Sequence, residues 1–353
     1  VETLNRLRDK MREQDLDGLL ITNGQNRRYM TGFTGTAGVV LVSLEQAVFI
    51  TDFRYTIQAK EQVVGYELVE HSGPIHSEVA NQVKQLGIDR LGFEKNDVTY
   101  HTYDVYNQAL EAEFVPVEGL VEKLRLYKTE SEIQILREAA QIADAAFDYI
   151  QTIIKPGVRE IDVSNELEFF MRKQGAVSSS FDIIVASGYR AALPHGVASD
   201  KEIHSGELVT LDFGALYKGY CSDMTRTVAV GPISDELKSI YNTVLEAQKR
   251  GMDGLKAGIT GKEADALTRD YIKEQGYGEY FGHSTGHGLG MDVHEAPSLS
   301  FRNENALEPG MVVTVEPGIY VPNVGGCRIE DDAVITENGH ERLTFSTKEL
   351  ITL

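Results

Sequence analysis

The sequence predicts an α+β protein in two parts: a smaller α/β domain over residues 1–125, and a larger domain over 126–353 made of two duplicated halves. Three observations lead there. Short apolar runs alternate with helical patterns through the first third of the chain. That rhythm breaks over residues 118–128 (EGLVEKLRLYK), where a long helix begins. Two 21-residue segments, 155–175 and 256–276, then echo one another at an offset of 101.

In the first domain, Leu4, Leu7, Met11 and Leu16 recur at helical spacing. Residues 17–22 (DGLLIT), 38–43 (GVVLVS), 47–51 (AVFIT), 91–94 and 114–117 are short apolar runs and read as buried strands. Helical stretches at 53–64, 76–86 and 99–111 separate them. Such alternation packs helices against a sheet.

The second domain opens with Thr129, followed three residues later by Glu132, a capping-box pattern. Its helix is expected to run to about Ile154 and to stop before Pro156-Gly157. The echoing segments, KPGVREIDVSNELEFFMRKQG and KAGITGKEADALTRDYIKEQG, share Lys, Gly, Gln and Gly at matched places. Each precedes a strand-rich stretch, 207–231 and 310–335, read as a β-hairpin. Two helical hairpins, each followed by antiparallel strands, predict related halves with helices outside a curved sheet.

The net charge of −20 argues against nucleic acid and anionic membrane surfaces, which need clustered cations. Two cysteines, Cys221 and Cys327, are too few for a disulfide-stapled fold, and both read as small packing residues. No run of 18 apolar residues is present, so no spanning helix is expected. The opening VETLNRLRDK has no signal-peptide character and lacks a starting Met, which reads as trimming. The cytoplasm is the expected location.

Each hairpin carries two acids in apolar surroundings. Asp212 sits in VTLDFG and Asp223 in GYCSDMT; Glu316 sits in VTVEPG and Glu330 in CRIEDD. The separations, 11 and 14 residues, suit two arms of one hairpin. The leading acids follow their repeat copies by 37 and 40 residues, so the duplication should make the pairs face each other. Carboxylates buried among Val, Thr, Leu and Phe need a cation. A fifth donor is suggested by His287 in the Gly-rich HSTGHGLG, with His283 beside it, His294 downstream and His195 upstream. No chemistry attaches to His71, His76, His101, His204 or His340. An oxygen-rich set with one imidazole suits Mn²⁺ better than a thiolate-type zinc site, and shared carboxylates point to two ions.

With these residues in place, the sequence resembles the M24 pita-bread metallopeptidases, and within them the proline-specific branch of prolidase and aminopeptidase P. The resemblance rests on LPHG, LDFGALYKGYCSDMTRT, GHSTGHGLGMDVHEAP, LEPGMVVTVEPGIY and GGCRIEDD, and on NRRYMTGFTG and TDFRY in the lead domain. It implies a creatinase-like N-terminal domain and a pita-bread catalytic domain with a pseudo-twofold axis. It also implies two divalent ions per subunit, Mn²⁺ first with Co²⁺ or Zn²⁺ as alternatives, held by Asp212, Asp223, His287, Glu316 and Glu330.

Asp223 and Glu330 are then expected to bridge the ions, which make a hydroxide from water near neutral pH. Glu316 becomes the general acid–base, and His195 and His294 contact the substrate and the oxyanion. His283 and Arg328 join the pocket, with Arg328 orienting a neighbouring acid. Phe181 and Val293 are candidates for an apolar slot around the prolyl ring.

The expected activity is Xaa-Pro dipeptidase action on short peptides, in a homodimer. The alternative is aminopeptidase P action on longer peptides, because a dipeptidase must read a substrate carboxylate. Only Arg302, or Arg54 and the Arg27–Arg28 pair from a partner subunit, offers a cation for that. A metal-free creatinase-like hydrolase and a non-catalytic binding module are remoter, since all five donors stand and no charged tail is present.

Overall fold

Helix α1 (Glu2–Glu13) buries Leu4, Leu7 and Met11 along one face, as their spacing requires, and β1 (Gly18–Ile21) follows. The computed structural model describes residues 2–353 and divides into two units, Val1–Arg125 and Leu126–Leu353. The first unit continues with α2 (Gly24–Thr31), β2 (Val39–Ser43), β3 (Ala47–Thr51), α3 (Thr56–Gln62), β4 (Glu67–Glu70) and α4 (Ile75–Gln85). It closes with β5 (Arg90–Glu94), α5 (Tyr100–Ala109), β6 (Glu113–Val117) and α6 (Leu120–Arg125).

Its strands form one sheet in the order β4-β3-β2-β1-β5-β6. The central β1–β2–β3 meander is antiparallel, and β4, β5 and β6 join by parallel pairings. Leu19 and Ile21 of β1 enter one apolar cluster and Leu20 the other, so both faces are covered and the strand reads as a continuous apolar run.

Three elements of this unit escaped the sequence reading. Helix α2 is mostly polar and is started by the Asn23 side chain, which accepts from the Gln25 and Asn26 amides. Strand β4 is a four-residue edge with no buried residue. Helix α6 occupies the stretch read as a break and buries Leu120, Val121 and Leu124.

The second unit begins with α7 (Glu130–Ile150), whose capping box of Thr129 and Glu132 is present. The helix ends at Ile150, before the expected Ile154, and residues 151–153 form a turn. Then come α8 (Glu160–Lys173), β7 (Ser178–Ser179), β8 (Ile184–Ser187), β9 (Glu207–Phe213), β10 (Ala215–Tyr217), β11 (Tyr220–Cys221) and β12 (Met224–Val230). The second half repeats the plan with α9 (Asp235–Gly254), α10 (Gly261–Glu274), β13 (Gly286–Gly288), β14 (Glu295–Leu299) and β15 (Val312–Val315). Strands β16 (Gly318–Val321), β17 (Gly325–Arg328), β18 (Asp331–Thr336) and β19 (Gly339–Arg342) complete it.

Helices α8 and α10 are both 14 residues long and begin 101 residues apart. Strands β8, β9 and β12 pair antiparallel in that order, and β13, β15 and β18 do the same. Among the described residues no helix is long and apolar enough to cross a membrane.

The expected hairpins are interrupted. The short β10–β11 excursion separates β9 from β12, and β16–β17 separates β15 from β18. Asp212 therefore lies near the end of β9, Asp223 just before β12, Glu316 just after β15 and Glu330 just before β18. All four acids stand where an excursion leaves or rejoins its sheet. The bend after β9 requires Gly214, where a Cβ would lie 1.7 Å from the Ser222 carbonyl oxygen. In the other half Gly286, within β13, allows a close backbone approach: a Cβ there would lie 1.9 Å from the Thr314 carbonyl oxygen.

Candidate metal centre and catalytic site

Three of the acids, Asp212, Asp223 and Glu316, line a cavity of ≈ 520 Å³ in the second unit together with His287, and Glu330 stands behind Asp223 and His287. Donor atoms of Asp223, His287 and Glu330 all lie within 4.8 Å of one another. His287 Nε2 is 3.1 Å from Glu316 Oε1 and 3.5 Å from Asp223 Oδ2. The other ring nitrogen, Nδ1, lies 3.0 Å from the Gly288 carbonyl, which fixes the ring with Nε2 toward the acids.

Each acid is also held from behind. The Arg328 guanidinium donates to Asp212 Oδ2 at 2.6 Å. The Asp223 amide donates to Asp332 Oδ2 at 2.9 Å. Thr225 Oγ1 donates to Glu330 Oε2 at 2.6 Å, and Thr314 Oγ1 to Glu316 Oε1 at 3.2 Å.

What remains unmet points to a cation. Asp212 Oδ1, Asp223 Oδ1 and Glu330 Oε1 are buried without a hydrogen-bond partner. An unpaired buried carboxylate oxygen carries a heavy desolvation cost. Burial, with Asp212 alongside, pushes the Asp223 carboxyl up to about 8. Burial and then Asp223, Glu316 and Asp212 hold Glu330 well above the usual carboxylate range. Burial works the same way on Glu316, but the hydrogen bond with His287 and the charges of His287, His283 and Arg328 together outweigh that and bring it down to about 2. Burial opposes charge on His287, yet Asp223 and Glu316 override it and raise the imidazole well above its ordinary value. Four carboxylates and one imidazole, with orphaned oxygens between them, are a donor set for a hard or borderline divalent ion.

The accessory residues surround this nest. His294 packs edge-on against His287 with ring centroids 4.3 Å apart, and burial and His287 lower its pKa. His195 lines the cavity and is exposed. His283 Nδ1 is 2.8 Å from the Ser284 carbonyl and its Nε2 is 2.7 Å from Tyr320 Oη. Arg328 in turn donates to Tyr320 Oη at 2.8 Å. Phe181 and Val293 form part of the wall with Ile184, Pro194 and Val197.

Tyr320, Thr225 and Asp332 were missed by sequence reasoning. Tyr320 closes the PGIY stretch and Asp332 closes IEDD, so proximity to a ligand candidate was the available signal. Three of the arginines named for a substrate carboxylate have local contacts within their own units. Arg302 is exposed, its guanidinium 5.1 Å from the Phe301 ring, and is not among the cavity residues. Arg54 is paired with Asp52, and Arg27 is buried on the Gly35 and Gly38 carbonyls of the first unit. Cys221 and Cys327 are buried, and burial pushes each thiol up to about 12, the behaviour of small packing residues.

Two structurally repeated halves that gather carboxylates and one imidazole around a cavity define a metallohydrolase-type site. The profile described as Metallopeptidase family M24 matches residues 134–337, and that of the Creatinase/Prolidase N-terminal domain matches residues 4–127. The chain belongs to Metallopeptidase family M24, and dependence on a divalent metal goes with that membership. An uncharacterized peptidase of Bacillus subtilis (strain 168) is 63% identical over 351 residues, covering 99% of each chain. The structure of an Xaa-Pro dipeptidase from Bacillus anthracis superposes with a TM-score of 0.99 at 67% identity, over 100% of this chain and 99% of that one. That of an X-Pro aminopeptidase from Thermotoga maritima MSB8 gives a TM-score of 0.91 at 40% identity, over 98% and 100%.

Proposed function

We propose that this protein hydrolyses the Xaa-Pro bond of short peptides as an Xaa-Pro dipeptidase. The observation that carries the reading is the placement of the acid–imidazole nest beside a largely apolar wall of Phe181, Ile184, Pro194, Val197 and Val293 in one cavity. That wall suits a prolyl ring, and the likeness to the Bacillus anthracis dipeptidase supports the same substrate.

In this reading Asp212, Asp223, His287, Glu316 and Glu330 hold two divalent ions, Mn²⁺ ahead of Co²⁺ or Zn²⁺. Such ions, when bound, supply Lewis acidity that polarises the scissile carbonyl and acidifies a water. The chain's own residues do the rest. Glu316, drawn down to about 2 against its burial by His287, His283 and Arg328 together, is ionised at neutral pH and can accept a proton from the attacking water. It then passes that proton to the prolyl nitrogen, which as a tertiary amide has none of its own. His294, its pKa lowered by burial and His287, is neutral and donates an N–H to the developing oxyanion, with His195 on the substrate. Arg328 and Tyr320 keep His283 oriented at the cavity wall. A homodimer belongs to the same reading and is checked by light scattering.

A second reading, aminopeptidase action on longer Xaa-Pro peptides, is favoured by one observation. Among the described cavity residues Arg328 is the only guanidinium or ammonium, and it is engaged by Asp212, Thr225, Tyr320 and the Pro194 carbonyl. Initial rates on Ala-Pro, Ala-Pro-Ala and Ala-Ala test both. Cleavage of Ala-Pro with Ala-Ala untouched supports the proposal, and faster cleavage of Ala-Pro-Ala selects the second reading. Cleavage of Ala-Ala alone contradicts both.

A further inference from the structure

Outside the nest, each half of the second unit buries one acid on its repeat helix and ties it to a histidine-bearing loop. In the first half the acid is Glu160, the first residue of α8, with no exposed surface. Its Oε1 accepts from the Ser187 amide and hydroxyl, both at 2.8 Å. Its Oε2 accepts from the Ser199 amide at 3.1 Å, the Ser199 hydroxyl at 2.6 Å and the Arg190 guanidinium. Arg190 also donates to the Val197 carbonyl at 2.9 Å. One carboxylate thus pins both ends of the 187–199 segment, and His195, exposed at the cavity, lies between the pins.

In the second half the acid is Asp265, the fifth residue of α10 and also buried. Arg269 holds it at 2.6 and 2.9 Å and reaches the Phe281 and His283 carbonyls at 3.0 and 2.6 Å. Thr285 donates to it through amide and hydroxyl, at 3.0 and 2.8 Å, and accepts from the Glu316 amide at 2.7 Å. The repeat does not place Glu160 and Asp265 at equivalent positions, since Glu160 matches Gly261 at the 101-residue offset. Each half therefore built its own acid–arginine clamp.

We propose that Glu160 is a positioning residue that fixes His195 toward the substrate by clamping the 187–199 loop. An acid in the first turn of a helix needs no further reason, because it complements the helix dipole. Five donors, all from one loop that carries a cavity histidine, go beyond that need. The carboxylate is acceptor-only, so both oxygens can serve N–H and O–H groups together. A Gln must turn one N–H₂ toward donors and loses half of the clamp. The inference rests on the reading that His195 contacts substrate.

The test is a double-mutant cycle on Ala-Pro hydrolysis by the manganese-loaded enzyme, with wild type, Glu160→Gln, His195→Ala and the double variant. Loss of charge-assisted hydrogen bonds predicts a fall in kcat/KM of about tenfold for Glu160→Gln. In the His195→Ala background the same change should have almost no effect. Equal losses in both backgrounds overturn the proposal, because a merely structural acid acts additively. Hydrogen exchange followed by mass spectrometry gives a readout free of activity. Glu160→Gln should speed exchange in 187–199 and leave 281–288 unchanged, and Asp265→Asn should do the reverse; unaltered exchange in 187–199 overturns the proposal. Should Glu160→Gln fail to fold, Ser199→Ala removes one donor and keeps the acid, with a smaller loss that must likewise vanish beside His195→Ala. If wild type leaves Ala-Pro intact, the functional reading falls, and the exchange data still decide whether Glu160 holds the loop.

Discussion

Arg328 Nη2 lies 2.6 Å from Asp212 Oδ2, and both side chains are buried. The pair occupies one carboxylate oxygen and leaves Oδ1 without a partner. Removing the cation strands a buried charge, which typically costs about 3–5 kcal/mol. Arg328→Met is therefore expected to lower the unfolding free energy of the metal-free protein by that order, read as a fall in its urea midpoint. Added Mn²⁺ should recover part of the loss, because an ion held by Asp212 supplies the missing positive charge. An unchanged midpoint would show that the pair contributes nothing.

Metal uptake should release protons. The Asp223 carboxyl, pushed up to about 8 by burial and Asp212, is largely protonated at pH 7 and must ionise to act as a ligand. Apparent Mn²⁺ affinity is therefore expected to climb from pH 6 to pH 8 and then level off. Calorimetry at pH 7 in two buffers of different ionisation enthalpy reads the released protons directly. Buffer-independent heats would contradict the expectation.

The same shift gives Asp223→Asn opposite effects in two states. A carboxyl whose folded pKa lies above its unfolded value costs stability once pH exceeds the unfolded value, and the cost is complete above the folded one. For Asp223 the cost grows from roughly pH 4 to about pH 8. The Asn variant should thus be more stable than wild type without metal at pH 8, yet gain less from Mn²⁺ and lose turnover. Thermal melts with and without Mn²⁺ show whether the curves cross.

Asp331 behaves in the other direction. It is buried against Arg226 at 2.7 Å and Lys348 at 2.6 Å, and accepts from Gln248 and Thr344. Burial works against its charge, but Arg226 and Lys348 outweigh that and bring it down to about 2. Its contribution is present above the ordinary carboxylate value of about 4 and fades as pH falls toward 2. Asp331→Asn should cost about 3–5 kcal/mol at pH 7, measured by urea unfolding, and much less near pH 2.

The two thiols should be inert in the native state. Cys221 and Cys327 are buried, with thiols pushed up to about 12. Iodoacetamide at pH 8 is expected to leave both unmodified in native protein and to label both in guanidinium, read by intact mass. Rapid native labelling would contradict their burial.

Much of the second unit was legible because its signals are local. The repeat at an offset of 101 marked α8 and α10, and carboxylates inside apolar strand runs marked Asp212, Asp223, Glu316 and Glu330. The excursions β10–β11 and β16–β17 were not legible, since Gly-rich stretches such as FGALYKGY fit a plain hairpin equally well. Glu160 and Asp265 were hidden for a different reason. Each sits on a helix where an acid is unremarkable, and only the tertiary fold brings Ser187, Ser199 or Thr285 to it. In the first unit α2 and β4 escaped because polar helices and short exposed edges carry no apolar period.

The most direct measurement removes metal from the purified protein with a chelator, restores it stepwise, and follows both ion content and Ala-Pro hydrolysis. A paired-ion centre predicts no turnover in the stripped protein and recovery on Mn²⁺ addition that saturates at two ions per chain. Full activity at zero metal, or an Asp223→Asn, Glu330→Gln double variant that still binds two ions and turns over, would contradict it.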